Sequence, residues 1–279
     1  MPPGGPWTTV LAFLRERTGT PAEALYGRVR AGEVVLGDGT AVDEDTAYRG
    51  GQVVFLYRDV EPETQVPFEL VILHRDHDIV VVDKPHFLST MPRGAHVTET
   101  VVTRLRRDYG LPDVVPAHRL DRLTAGVLIL VVRPEVRAAY QRLFSERRVH
   151  KTYLARAPRL PSWRDPVTVS NRIVKHRGQL QAQVVQGAAN AQTTIERLDC
   201  LSEVCTYRLT PHTGRTHQLR VHCAGLGMPI LGDPLYPHIR DVGDGDFSDP
   251  LQLLAQRLEF DDPLTGVHRT FCSTRSLNA

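Results

Sequence analysis

Four charged or titratable side chains stand immediately before an apolar segment in the middle of the chain. They are His118, Arg119, Asp121 and Arg122, and they precede the uninterrupted apolar run of residues 126–132. A loop at the edge of a buried strand presents its side chains rigidly. Nearby cations favour an ionised carboxylate, which is the form that a nucleophile needs. The pattern predicts a nucleophilic Asp121, and a surface ion pair that caps the strand is the alternative.

A second polar cluster, residues 210–236, contains a turn followed by a helix. Gly214 permits a tight turn into a helix that we expect to begin near Arg215. An Arg at a helix start can reach across to a carboxylate with bidentate geometry, whereas Arg220 is displaced from the face that carries Arg215. An anion contact at the helix start is the alternative.

A third cluster, residues 148–154, alternates as a β-strand does. The alternation places Val149, Lys151 and Tyr153 on one face of the strand. A Tyr on a sheet surface can stack on a nucleic-acid base. The alternative is that Tyr153 belongs to the hydrophobic core.

Together, the three clusters resemble the RluA-type family of RNA pseudouridine synthases, in the same order and at similar spacing. The family's H-R-L-D-x-x-T-S-G loop is matched by residues 118–126, and its K-x-Y element is matched by residues 151–153. Its T-G-R-T-H-Q-[IL]-R-V-H helix is matched by residues 213–222, and its G-x-P-I-x-G-D-x-x-Y tail by residues 227–236. Its strand followed by K-P is matched by residues 80–85. The helix motif matches without a gap. The resemblance extends over about residues 68–275.

The chain departs from the family pattern at two positions. Ala125 stands where the family usually has Ser, and Phe87 stands where the family's K-P-x-G-L segment has Gly. Neither change replaces a group with catalytic chemistry. The second could reshape a loop that touches RNA.

The resemblance implies that the protein isomerises a uridine in structured ribosomal or transfer RNA to pseudouridine. The uridine has to be flipped out of the RNA first, and Arg119 fills the space that it leaves. Asp121 then attacks either C1′ of the ribose or C6 of the uracil, while Arg215 pairs with Asp121 and keeps it ionised. Tyr153 stacks on the uracil and takes part in the final proton removal at C5.

Further RNA contacts follow from the same resemblance. His118, Arg122 and Lys151 would contact the RNA, and Ile230 and Leu231 would wall the uracil pocket. The isomerisation needs no redox change, so we expect neither a metal nor a cofactor.

Charge is unevenly distributed along the chain, although the formal net charge is only +2. Residues 93–156 contain thirteen Lys or Arg and six acids, whereas residues 1–60 contain six Arg and eight acids, and residues 241–262 contain seven acids and one Arg. A surface that faces phosphates requires such a local excess of positive charge. We therefore expect residues 93–156 to face RNA, with solvated helix faces as the alternative.

The order of predicted elements indicates an α+β fold. Strands are predicted at residues 68–74, 79–83, 126–132, 149–156 and 204–210, and helices at 97–109, 134–147 and 216–226. Because strands and helices do not alternate strictly, we expect a mixed, largely antiparallel central sheet with flanking helices. This catalytic domain would occupy residues 68–279.

The first sixty-two residues are predicted to form a separate small α/β module. Two helices followed by short strands give the helix–helix–strand order of S4-type RNA-binding modules. The acidic balance of this module argues against strong phosphate binding by it. Residues 61–67 are predicted to form a linker to the catalytic domain.

The remaining expectations concern compartment and assembly. The four cysteines lack metal-finger spacing, so we expect buried free thiols and neither a disulfide framework nor a zinc site. The longest apolar run is far shorter than a membrane span, and no signal peptide is expected. These features predict a monomeric cytoplasmic protein that does not associate with membranes.

Two other functions remain open at this point. An RNA-binding protein without catalysis would also fit the basic stretch, but it would not need Asp121 between two arginines. A nucleoside or glycoside hydrolase also attacks C1′, yet such enzymes typically use two carboxylates. Only one carboxylate near residue 121 lies in a recognisable motif.

Overall fold

The computed structural model describes residues 1–57, 63–163, 166–243 and 245–277. By its internal contacts the chain divides into two units, Met1–Glu61 and Pro62–Ala279. Residues 61 and 62, the first two residues of the predicted linker 61–67, lie outside the described ranges. The predicted end of the first module, residue 62, therefore lies outside them too.

The first unit contains two helices and a two-stranded antiparallel sheet. Its elements are α1 (Val10–Thr18), α2 (Ala22–Arg30), β1 (Val34–Leu36) and β2 (Val54–Leu56). The hydroxyl of Thr9 accepts the N–H of Ala12 and caps α1, which ends at the left-handed Gly19. The order of elements agrees with the prediction, while the assignment to S4-type modules stays a prediction.

The second unit is built on a large sheet that helices flank. Its strands are β3 (Val71–Arg75), β4 (Ile79–Lys84), β5 (Val115–Pro116), β6 (Ala125–Val131), β7 (His150–Pro158), β8 (Val167–Val174), β9 (Gln183–Val185), β10 (Ala191–Leu201), β11 (Val204–Pro211), β12 (Leu253–Asp261) and β13 (His268–Cys272). Its α-helices are α3 (Val101–Tyr109), α4 (Arg137–Ser145) and α5 (Gln218–Gly225), and a 3₁₀ turn (Pro134–Val136) leads into α4.

The strands follow the order β3-β4-β6-β12-β7-β11-β10-β8-β9, with β5 paired to β6 and β13 paired to β12. Within the described ranges, β6 and β12 run parallel and the other paired strands run antiparallel. This mixed, largely antiparallel sheet confirms the predicted α+β fold.

Both faces of the sheet are covered at β4. Val80 and Val82 of β4 belong to one buried apolar cluster, and Ile79 and Val81 belong to another. A strand that is buried on both faces is a continuous apolar run and does not alternate.

In the parts of the chain that the structure describes, no helix is long and apolar enough to span a bilayer.

The backbones of β6 and β12 approach each other closely at Gly126. This residue has φ +112°, and a Cβ built on it would lie 2.2 Å from the carbonyl oxygen of Ala255. Residues with a side chain rarely adopt such a φ, and here they would also collide with backbone. Gly126 therefore permits the parallel pairing that fixes the strand directly after the loop containing Asp121.

The structure corrects the prediction for the cysteines. Cys200 and Cys205 form a disulfide, because they lie opposite each other in the hairpin of β10 and β11. Cys223 is a buried free thiol, as predicted, whereas Cys272 is free but exposed. The disulfide removes one of the observations on which the predicted cytoplasmic location depends.

We expect Gly126→Ala to lower the free energy of unfolding by about 3 kcal/mol or more, because it adds a collision with backbone to an unfavourable φ. Gly110→Ala is a matched control, since Gly110 also has positive φ but has open space where its Cβ would lie. That variant should lose only about 1 kcal/mol. Urea denaturation measures both losses, and equal losses would contradict the proposed close approach.

Candidate active site

Asp121 lies in the loop between β5 and β6, and its side chain faces the start of α5. Its Oδ2 is 3.6 Å from Nη1 of Arg220 and 3.9 Å from Nε2 of His217. The Asp121 side chain is 30% exposed, whereas that of Arg220 is 3% exposed. A carboxylate open to solvent thus rests against a cation that is buried in the protein.

Arg220 is held in place by a second carboxylate. Its Nε and Nη2 donate to the two oxygens of Asp233 at 2.8 and 2.6 Å, and its guanidinium lies 5.2 Å from the centre of the Tyr236 ring. Burial opposes the charge, but the bonds to Asp233 outweigh it and raise the pKa of Arg220. The bidentate pair leaves Nη1 directed towards Asp121.

Asp233 is itself fixed by the turn in which it lies. It is 4% exposed, and one of its oxygens accepts the N–H groups of Leu235 and Tyr236. Arg220 and Asp233 were not among the predicted functional residues. Both belong to the matched motifs, in residues 213–222 and 227–236, and this membership was the signal that could have identified them.

The predicted pairing of Arg215 with Asp121 is wrong. Helix α5 begins at Gln218, later than expected, because His217 adopts a left-handed conformation with φ +57°. Arg215 therefore lies in the turn before the helix, where its Nε donates to the carbonyl of Asn190 at 3.2 Å. The guanidinium beside the Asp121 carboxylate belongs to Arg220.

His217 is a further member of the site that the sequence analysis missed. Its Nδ1 lies 2.9 Å from the hydroxyl of Tyr236, and its other ring nitrogen faces Asp121. Burial lowers the pKa of His217 below its ordinary value, and the charge of Asp121 only partly opposes this shift. The imidazole is therefore neutral at neutral pH, and Arg220 supplies the positive charge next to Asp121.

A buried lysine, Lys84, fixes the backbone of the loop that contains Asp121. The ammonium of Lys84 donates to the carbonyls of Pro85, Leu88 and Arg122 at 2.9, 2.7 and 3.0 Å. Burial lowers the pKa of Lys84 well below its ordinary value, and the negative charge of Asp121 opposes that shift. Lys84 thus positions the loop through its backbone carbonyls.

Two side chains from the segment after β4 bind the same loop. The hydroxyl of Thr90 donates to the carbonyl of Leu120 at 2.8 Å and accepts its N–H at 3.2 Å. Nδ1 of His86 lies 2.7 Å from the carbonyl of Leu123. The backbone is therefore fixed on both sides of Asp121, as a preorganised nucleophile requires.

Phe87 keeps the backbone conformation that glycine favours. Its φ is +65°, a region that costs a residue with a side chain about 1–2 kcal/mol. The ring is 6% exposed and packs against Phe68 and Phe247, with ring centres 6.2 and 5.1 Å away. Burial of the ring offsets the strain, and the segment keeps the left-handed turn despite the missing glycine.

Tyr153 lies on β7 close to Asp121. Its neighbours across the sheet are Leu209 of β11 and Ala255 of β12, and its ring packs partly against the main core cluster. Burial, and then the negative charge of Asp121, raise the pKa of the Tyr153 hydroxyl. The phenol is protonated and within electrostatic range of the candidate nucleophile.

The structure assigns different environments to the predicted RNA-contacting residues. Arg119 and Arg122 are exposed on either side of Asp121. Lys151 is partly buried, with its ammonium 3.5 Å from the carbonyl of Thr213. These placements leave the two arginines accessible to a ligand from solvent.

His118 is partly buried and bonded within the protein, and its contact with RNA stays a prediction. Its Nε2 accepts the N–H of Ile129 at 3.2 Å, and its ring stacks on Phe144 at 4.3 Å. Burial, and then the charge of Lys151, lower the pKa of His118 to about 3. A neutral ring with its acceptor nitrogen occupied fixes the loop against β6 and offers no charge to a phosphate.

The residues predicted to wall the uracil pocket lie next to β7. Ile230 is 2% exposed and belongs to the main core cluster. Leu231 is partly buried and bridges two segments, since its N–H donates to Arg156 and its carbonyl accepts the N–H of Gln252. Their contact with uracil stays a prediction.

The arrangement provides one carboxylate that can act as a nucleophile. Asp233 is also near Arg220, but it is buried and both of its oxygens are bonded. Among the described residues, no three His, Cys, Asp or Glu side chains come together as metal ligands would. A single carboxylate beside a fixed cation suits covalent attack better than the two-carboxylate chemistry of glycoside hydrolases.

The sequence is similar to those of known RNA pseudouridine synthases. The family model described as RNA pseudouridylate synthase matches residues 78–225. The dual-specificity RNA pseudouridine synthase RluA of Escherichia coli is 35% identical over 207 residues, which cover 72% of this chain and 91% of that protein. An uncharacterised RNA pseudouridine synthase of Haemophilus influenzae is 34% identical over 196 residues, which cover 69% and 83%.

A solved structure supports the same relationship. The human RNA pseudouridylate synthase domain containing 1 superposes with a TM-score of 0.57 and 27% identity, covering 77% of this chain and 86% of that one. The family match contains Asp121, Tyr153 and Arg220 and spans more than half of the chain. The chain belongs to the RluA-type RNA pseudouridylate synthases, and it is therefore an isomerase that acts on RNA.

Proposed function

We propose that this enzyme isomerises a uridine in ribosomal or transfer RNA to pseudouridine, with Asp121 as the nucleophile. The observation that carries the proposal is the solvent-open carboxylate of Asp121, 3.6 Å from the buried guanidinium of Arg220. The choice of RNA is supported by relatives, since the RluA protein is named as a dual-specificity synthase and a yeast mitochondrial relative as a tRNA pseudouridine(32) synthase.

The fixed cation accounts for the reactivity of the carboxylate. The guanidinium of Arg220 lies 3.6 Å from the Asp121 carboxylate, and the bonds of Arg220 to Asp233 prevent it from moving towards solvent. In one route an Asp121 oxygen bonds to C1′ as the N1–C1′ bond breaks, and C5 later displaces it. In the other route the oxygen adds to C6 across the C5–C6 double bond, the N1–C1′ bond breaks, C5 of the tethered uracil bonds to C1′, and the bond between C6 and the Asp121 oxygen then breaks. Both routes require a base that has been flipped out of the RNA.

Exposed Arg119 is proposed to take the place of the flipped nucleotide. It lies two residues before Asp121 on the same fixed loop, so it reaches the RNA where the base leaves. Arg122 is exposed on the other side of Asp121 and would contact the backbone. Arginine suits this use because its planar guanidinium can bond to phosphates and stack on bases.

Tyr153 is proposed to stack on the uracil and to relay a proton. When C5 has bonded to C1′, its proton can pass to the phenol oxygen while the phenol proton passes to the released Asp121 carboxylate. Asp121 then gives up this proton to solvent, and N1, which has lost its bond to C1′, takes up a proton from solvent. The raised pKa of Tyr153 is consistent with a phenol that stays protonated until that step.

The small module at the N-terminus is proposed to assist in choosing the RNA. Its helix–helix–strand order supports an RNA-binding role, and its acidic balance limits the phosphate contacts that it can make. A monomeric state and a cytoplasmic location stay predictions.

Asp121→Asn should abolish product while keeping the fold and RNA binding, because it removes the nucleophile and retains the shape of the side chain. Pseudouridine should be mapped in ribosomal and transfer RNA from cells that lack the gene. One missing site that is restored by the wild type and not by Asp121→Asn would identify the target. More than trace product from the variant would remove Asp121 from this role.

Arg220→Lys should lower kcat about 100-fold, because lysine keeps the charge but loses the bidentate bonds that aim it at Asp121. Arg215→Lys is the matched control in the same motif, and it should change kcat less than tenfold. Thermal unfolding of both variants distinguishes a local effect from a loss of fold. Equal losses of kcat in two folded variants would argue against the pairing of Arg220 with Asp121.

Tyr153→Phe should keep RNA binding and lower the rate about 100-fold or more, because it retains the ring and removes a group that takes part in proton transfer. Single-turnover kinetics with saturating enzyme measure the chemical step. A wild-type rate would assign the C5 proton to another group.

A further inference from the structure

We propose that a cleft at the start of β7 binds a backbone phosphate of the substrate RNA, next to the flipped uridine. The inference rests on the proposed function and adds a residue, Arg147, that no matched motif contains. The cleft has a volume of about 130 Å³ and is lined on its polar side by Arg147, His150, Lys151 and His212.

The lining of the cleft has one sign of charge. Its remaining walls are apolar or neutral, with Phe144 among them, and no acidic side chain of the described residues lines it. The His212 ring is oriented by a contact of 2.9 Å between its Nε2 and the hydroxyl of Thr194. A cleft of this kind attracts anions and concentrates the field of its cations.

Arg147 occupies a backbone position that is unfavourable for it. It follows the end of α4 with φ +59°, where helices usually place glycine. Among the described residues, Arg147 has no acidic partner within 4.0 Å, whereas the adjacent Arg148 pairs with Glu146 at 3.4 Å. An arginine kept in a strained conformation without a partner indicates that its cation serves a ligand.

Lys151 provides a second cation at the same place. It is partly buried, and its ammonium is 3.5 Å from the carbonyl of Thr213, too far for a strong hydrogen bond. Burial, and then the positive charge of Arg147, lower the pKa of Lys151. A bound anion would relieve the repulsion between these two cations.

The position of the cleft identifies the anion as part of the RNA. Lys151 and Tyr153 lie two residues apart on one face of β7, which corresponds to about 7 Å along the strand. Tyr153 is the proposed platform for the uracil, and Thr213 begins the loop that leads to α5 and Arg220. A phosphodiester group near the flipped nucleotide would therefore reach the cleft.

Arg147→Gly tests the proposal, because it removes the cation and also relieves the backbone. It should weaken RNA binding about tenfold at 0.1 M salt and reduce the slope of log Kd against log salt by about 0.7–0.9, as expected for one phosphate contact. Its Tm should equal or exceed that of the parent. Arg147→Lys should restore most of the binding despite the strain, and Arg148→Gln should leave binding and slope unchanged.

Filter binding should be measured in the Asp121→Asn background, with bulk transfer RNA and ribosomal RNA from cells that lack the gene as probes. An unchanged slope for Arg147→Gly, or an equal loss for Arg148→Gln, would overturn the proposal. A fall in Tm together with the loss of binding would indicate a structural role and would overturn it too. If the wild type forms no pseudouridine in either RNA, the proposed function fails, whereas the binding data still test the cleft.

Discussion

The site depends on the buried ion pair between Arg220 and Asp233. Taking two charges out of water is costly, and such a pair is seldom retained for stability alone. Here the pair occupies two donors of the guanidinium, packs its plane near Tyr236 and leaves a third donor facing Asp121. It joins helix α5 and the turn after that helix to the loop that contains Asp121, which is far from both in sequence.

The rest of the loop is positioned by bonds to its backbone. Lys84, Thr90 and His86 bind carbonyls of residues 120–123, and His118 accepts an N–H from β6. These bonds join the backbone on both sides of Asp121 to β4, to the segment after β4 and to β6. The carboxylate is consequently held in place before any RNA arrives, and its preorganisation does not depend on the substrate.

The parts of the structure that were predictable from the sequence have a simple pattern. Continuous apolar runs predicted β4 and β6. The four polar side chains within residues 118–122 indicated the loop that contains Asp121. Strand β12 was missed because a bulge between Ala255 and Arg257 interrupts its alternation. The pairing of Arg215 was wrong because a helix that starts at Gln218 places different residues on its inner face. The Cys200–Cys205 bond likewise depends on hairpin register, which composition does not encode.

The strained turn at Phe87 has a consequence for how this sequence can change over time. Replacing Phe87 with glycine would relax the backbone but leave a hole between Phe68 and Phe247, two residues that are remote in sequence. Replacing either neighbour alone would expose a ring that holds a strained conformation next to Lys84. The effect of a substitution at any one of these three positions therefore depends on the residues at the other two. The order in which mutations arise decides which of them the protein can tolerate.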